Sequence, residues 1–208
     1  MTLRLNGSTS GYTEIDAPAV AGSNTLVLPT GAGSAYQMVR NGATAGSLEF
    51  TDNIVSATAQ NSTSGTSIDF TGIPSWVKRV TVMFNGVSTN GTSLPTLRLG
   101  TSSGFVTSGY LGATAHIGSS SAVYANHSSA FKLSAAMAAV VTVHGHVTLA
   151  NLTSNTWTLS GSMGRSDDNF TLLTSGSISL GGVLDRLRIT TENGTDTFDG
   201  GSINILYE

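Results

Sequence analysis

The residues with the most available chemistry in this chain are two histidines separated by one residue, His144 and His146, in the stretch "VHGHV". On a strand, residues i and i+2 point to the same side, so both imidazoles face one way. Three copies of such a strand around a three-fold axis would gather six imidazoles, enough for an octahedral transition metal; imidazole suits zinc, nickel, copper and iron. A polar strand face carrying Thr142, His144, His146 and Thr148 accounts for the same spacing without a metal. A second set is Tyr110, His116, Tyr124 and His127, scattered among small residues over positions 100–129. Tyrosine set in Ser, Gly and Asn gives a large contact area with few rotors to freeze, which suits a recognition surface. These four are the candidates for receptor contact, with buried tyrosines in ordinary loops as the alternative.

The carboxylates do not assemble into a catalytic pattern. A glycosidase needs two of them roughly 5–10 Å apart across a cleft. Glu14 and Glu49 fall in a repeated phrase, Glu192 falls in a turn, and Glu208 is the last residue. There is no cysteine, no Gly-x-Ser-x-Gly elbow and no glycine-rich loop followed by lysine. The expectation is a non-enzymatic protein without a cofactor. Asp167-Asp168 and Asp196/Asp199 lack the spaced carboxylates of a calcium loop and read as turn formers. Arg186 and Arg188 share a strand face, which predicts solvated or intersubunit ion pairs. Trp76 and Trp157 read as core residues.

These side chains need strands to hold them. Val80, Val82 and Phe84 alternate with Arg79, Thr81 and Met83. Val143, Val147 and Leu149 share one parity against Thr142, His144, His146 and Thr148. Leu187 and Ile189 alternate with Arg186, Arg188 and Thr190, and Ile203 and Ile205 with Asn204 and Leu206. A period of two marks strands with one face in a core. Clusters such as "NGVSTNGTS", "SDDN" and "ENGTD" supply turns. The one helix-like run, residues 131–141, leads into β-branched residues and reads as a loop entering a strand. The fold class is therefore all-β: a slender N-terminal β segment, residues 1–60, then an antiparallel jelly-roll-like sandwich of roughly eight strands, residues 67–208.

Composition narrows the function. Charged residues make up 10%, against about 25% in an average domain. The net charge is −3 without a basic run, which argues against nucleic acid as a partner. No apolar run approaches the roughly 20 residues of a spanning helix, so no membrane insertion is expected. The first residues, "MTLRLNGSTSG", carry no secretory signal. Residues 1–60 hold no Trp and only Phe50 among seven phenylalanines. They do hold "NGSTSGYTEI" (6–15) and "NGATAGSLEF" (41–50), two copies of Asn-Gly-x-Thr-x-Gly-x-x-Glu. A phrase too poor in apolar residues to close a core must borrow surface, as in a stacked or intertwined stalk. "NSTSGTS", residues 61–67, reads as a flexible joint.

The stretch 3–31, "LRLNGSTSGYTEIDAPAVAGSNTLVLPTG", resembles the repeated shaft phrases of bacteriophage tail-fibre proteins. "IPSWVKRVTVMFNGVSTNGTS" (73–93) and "GGVLDRLRITTENGTDTFDGGSINILYE" (181–208) resemble the C-terminal domain of such fibres. The resemblance implies a homotrimer with a β-rich tip, contacts with other virion proteins of tail or capsid, and a host surface glycan or protein as receptor. It implies a virion location after synthesis in the bacterial cytoplasm. Some phage fibres resemble the His-x-His arrangement with a ring of histidines around iron, which is the basis for expecting a metal on the trimer axis. A tail fibre usually carries a larger N-terminal docking piece, whereas shaft phrases begin here almost at once. That leaves a trimeric capsid decoration protein, stabilising the head, as the alternative.

Overall fold

The structure, a computed structural model, describes residues 3–16, 18–20, 22–34, 37–118 and 121–208. Among them there are strands and turns and no helix. The chain divides into two compact units, 1–53 and 54–208.

The first unit holds β1 (Leu3–Asn6), β2 (Tyr12–Ile15), β3 (Met38–Asn41) and β4 (Leu48–Thr51). β1 pairs with β2 and β3 with β4, both antiparallel. The repeated phrase is the hairpin itself. Asn6 and Asn41 end the outgoing strands, and the phrase's glutamate returns opposite an arginine, Glu14 against Arg4 and Glu49 against Arg40. Both pairs close, with Arg4 Nε donating to Glu14 Oε1 at 2.7 Å and Arg40 Nε to Glu49 Oε1 at 3.0 Å. The two glycines of each copy do separate work. A Cβ on Gly7 would sit 2.4 Å from Ser10 O, and one on Gly42 2.7 Å from Ser47 Oγ. Gly11 and Gly46 turn the chain at φ +74° and +81°, a region costly for other residues.

The second unit contains β5 (Val55–Ser56), β6 (Gln60–Asn61), β7 (Ser67–Thr71), β8 (Arg79–Thr89), β9 (Pro95–Thr101), β10 (Gly104–Phe105) and β11 (Leu111–Ile117). It continues with β12 (Ala122–Asn126), β13 (Phe131–Lys132), β14 (Val143–Thr153), β15 (Thr156–Arg165), β16 (Thr171–Ser179), β17 (Arg186–Thr191) and β18 (Phe198–Tyr207). The large sheet runs β12-β11-β16-β15-β14-β8-β18-β5, with β6 also on β18; the small sheet runs β10-β9-β17-β7, with β13 on β9. All these pairings are antiparallel. Val80, Val82, Val147, Leu149 and Leu172 from the large sheet and Leu97, Leu99, Leu187 and Ile189 from the small one are fully buried in a single cluster. Two sheets sharing one apolar layer make a β-sandwich.

Three expectations need correction. The sandwich begins at Ile54 rather than 67, because β5 and β6 pair with β18. Residues 61–67 are accordingly no free joint: Ser62 is buried, donating its hydroxyl to Gly200 O at 2.8 Å, and Gly65 O accepts from Phe198 N. The strands also outnumber the expected eight. The jelly-roll order is not confirmed, since β14, β15 and β16 follow one another as neighbours in one sheet, where a jelly roll mostly alternates between sheets. Loop 133–142 enters β14 without helix, as its β-branched end predicts.

Candidate functional site

Of the four residues expected at a recognition surface, three are structural. Tyr110 is 2% exposed. Its hydroxyl accepts from Leu99 N at 2.8 Å and donates to Val106 O at 3.1 Å, and its ring meets Phe131 edge-on at 4.8 Å. Burial pushes the phenol up to about 12, against smaller opposing effects of the Leu99 backbone and Arg98. The hydroxyl completes backbone bonding along the edge of β9 in the gap between β10 and β13. His127 is buried, its Nδ1 accepting from Lys132 N at 3.1 Å, which leaves Nε2 to donate to Ser175 O at 3.1 Å. Its pKa lies below the ordinary imidazole value, chiefly through burial.

His116 is buried inside the sheet and meets Phe170 edge-on at 4.0 Å. Its Nε2 accepts from Arg165 Nη1 at 3.2 Å, and Arg165 is held in turn by Asp168 at 2.7 Å. Burial first, and the Arg165 charge second, hold this imidazole below its ordinary pKa. Asp167 accepts from Thr142 N at 2.9 Å, so the "SDDN" segment is tied to the residue before β14.

Tyr124 is different. It stands 70% exposed on β12, the last strand of the large sheet on that side. Register sets it opposite Ala115, which lies opposite Leu173. Leu173 is itself 43% exposed, and Ile117 and Leu111 on β11 are also uncovered. Tyr124, Ile117 and Leu173 therefore form an apolar patch around a phenol on the outward face, next to an open strand edge. The sequence marked Tyr124 alone. The signal for Leu173 was there: the doublet Leu172-Leu173 breaks the period of two, and one member must face out.

Inward from this patch the outward face is nearly chargeless. The row through Tyr124 continues as Ala115, Leu173, Ser162, His146, Met83 and Asn204; the next runs Ala113, Ser175, Ser160, Thr148, Thr81 and Leu206. Both histidines of the His-x-His pair occupy this face. His146 is exposed, whereas His144 accepts from Gly86 N through Nδ1 at 3.2 Å. Among the described residues of a single chain, no cluster of three His, Asp or Glu side chains forms. The four glutamates are each ion-paired, Glu14 with Arg4, Glu49 with Arg40, Glu192 with Lys132 and Glu208 with Arg79.

No protein-family model, curated protein or solved structure matches the chain.

Proposed function

We propose that the chain is a non-enzymatic structural protein of a bacteriophage virion, a homotrimeric tail fibre whose sandwich carries a host receptor-binding tip. The observation that carries this reading is the state of the first unit. Leu3, Leu5, Tyr12, Ile15, Leu26 and Met38 are each more than half exposed, and an isolated two-stranded hairpin is marginally stable in water. Such hairpins need cover, and copies of the same chain wound into a stalk provide it. The wording of residues 3–31 and 181–208 points to fibres, and Tyr124 with Leu173 and Ile117 offers the tip a contact patch for a host surface glycan or protein. Synthesis in the host cytoplasm and display on the virion follow from the same reading.

The same exposed hairpins favour a second reading, a trimeric decoration protein, if the surface that covers them is the capsid. Sedimentation of the purified chain at micromolar concentration is expected to give three times 21.2 kDa; a monomer overturns the trimer. The fibre reading expects the protein to bind host cells and block phage adsorption, with Tyr124→Ala weakening the block. Indifference to cells together with binding to expanded capsids and protection of them from heat establishes the decoration reading instead.

A further inference from the structure

The buried face of the large sheet ends in polar residues where β15 turns into β16. Register sets His116 opposite Leu172 and Leu172 opposite Met163, all three buried. Arg165 lies two residues beyond Met163 and Phe170 two before Leu172, so both keep that parity, and Arg165 N donates to Phe170 O at 3.2 Å. The Phe170 ring closes this end. It meets His116 edge-on at 4.0 Å, its centre is 5.5 Å from the Arg165 guanidinium, and it lies against Gly118, where no Cβ would fit.

Five buried side-chain polar atoms among the described residues lack a partner, and three of them belong to this cluster: His116 Nδ1, Arg165 Nε and Asp168 Oδ1. Arg188 and Asp69 show what is missing, since there the fork closes twice, Nε to Oδ1 at 2.8 Å and Nη2 to Oδ2 at 2.7 Å. Arg165 closes once, Nη2 to Asp168 Oδ2 at 2.7 Å, with Asp167 at 3.9 Å. Its Nη1 goes instead to His116 Nε2 at 3.2 Å. That bond requires Nε2 to be the nitrogen without a proton. The strands on either side bring no charge to the ring: β12 and β16 place Val123 and Leu172 opposite His116. The cation of β13, Lys132, is paired with Glu192.

We propose that His116 and Arg165 form an acid-sensitive clasp, which holds segment 166–170 over the end of the core at neutral pH and releases it when the imidazole takes a proton. Protonation turns Nε2 from acceptor to donor, so a donor faces the Nη1 donor and one cation faces another. Arg165 keeps Asp168, so the imidazole is the side that loses its bond. Nδ1 already lacks an acceptor, and a buried cation with two bare N–H groups must reach water. Its way out is past Phe170, which covers it. Few bonds resist: Asp167 holds Thr142 N at 2.9 Å, and Ser166 N donates to Thr142 O at 3.2 Å. Burial and the Arg165 charge favour the neutral ring, against the weaker pull of Asp168. The clasp is therefore shut above pH 6.5 and opens as pH falls through the ring's folded value. It does not depend on the virion reading.

Hydrogen exchange of the full chain, read by mass spectrometry at pH 7 and at about pH 5, tests the clasp, with exchange times scaled for intrinsic amide chemistry. Both aspartates stay charged over that range. Peptides covering 163–172 are expected to exchange roughly tenfold faster in acid, while those covering β8 stay unchanged. His116→Gln, which keeps an oxygen for Arg165 and cannot titrate, should abolish the increase. His127→Gln and His146→Gln should preserve it. In the parent, the midpoint of the increase should coincide with the titration of a histidine ring followed by NMR, a check that needs no variant. The proposal is overturned if exchange in 163–172 is the same at both pH values, if His116→Gln responds like the parent, or if the midpoint matches no histidine. It is equally overturned if β8 loosens in step with the segment, or if His127→Gln abolishes the response, because the acid effect then starts elsewhere in the sandwich.

Discussion

The hairpins of the first unit and the strands of the sandwich share the same antiparallel ladder and differ in what lies behind it. β1 and β2 make every pairing from Leu3↔Ile15 to Asn6↔Tyr12, yet all eight of their residues are exposed. In β8 the residues Val80, Val82, Phe84 and Val87 are buried on one side. Among the described residues, none of the buried core precedes Ile68. The contrast teaches that a ladder by itself confers little stability, since water competes for each bond and a net hydrogen bond contributes only about 1 kcal/mol. Burial makes the sandwich self-sufficient, at about 25 cal/mol per Å² of apolar surface removed from water.

The contrast is broken most directly by cutting the core. Leu187→Ala, at a fully buried position, should cost about 2–5 kcal/mol in urea unfolding. Leu5→Ala should leave sandwich unfolding within about 0.5 kcal/mol, while altering assembly by sedimentation. Equal costs would mean that the hairpins belong to the same cooperative unit. A high-pH titration probes the core from another side. Because the Tyr110 phenol is raised to about 12 when folded, its contribution is complete below pH 10 and is lost as pH climbs through 12. The loss should be about 2–3 kcal/mol, and Tyr110→Phe should flatten that part of the pH profile.

The acid side should show a smaller change. His116 and His127 are held below the ordinary imidazole value, so folding is fully supported above pH 6.5 and weakens as pH falls through their folded values. Melting temperatures from pH 7 to pH 4 should decline less steeply in His127→Gln than in the parent. The smallest effect belongs to the hairpins. Arg4→Ala removes an exposed ion pair and should cost roughly 0–1 kcal/mol, a change that a melt of the full chain will scarcely register.

The strand content, the turn clusters and the lack of helix were legible because a period of two is a property of neighbouring residues. Val80 to Phe84 and Leu187 to Ile189 bury the expected members. Trp157 is core, whereas Trp76, 40% exposed, leans on Tyr207 at 5.9 Å. Jelly-roll order was not legible, because which strand follows which around a sheet is decided by distant pairings such as β18 on β8. The recognition residues fared worst. Tyr110, His116 and His127 sit in a stretch that reads as polar loop, but β11 and β12 run through it, and their polar atoms find partners only once β9, β15 and β16 are in place. Arg98 is flanked by Leu97 and Leu99 in sequence, and its cross-strand neighbour, Arg188, is fixed only by the register of β9 on β17. The register of β7 on β17 likewise gives Asp69 to Arg188.

The position of β18 also bears on synthesis. It is the last strand in sequence, yet it lies inside the large sheet, between β8 on one side and β5 and β6 on the other. A ribosome has therefore made β5, β6 and β8 long before the strand that joins them exists. Chains halted ahead of Phe198 leave one edge of β8 without the partner that Ile203 to Tyr207 supply.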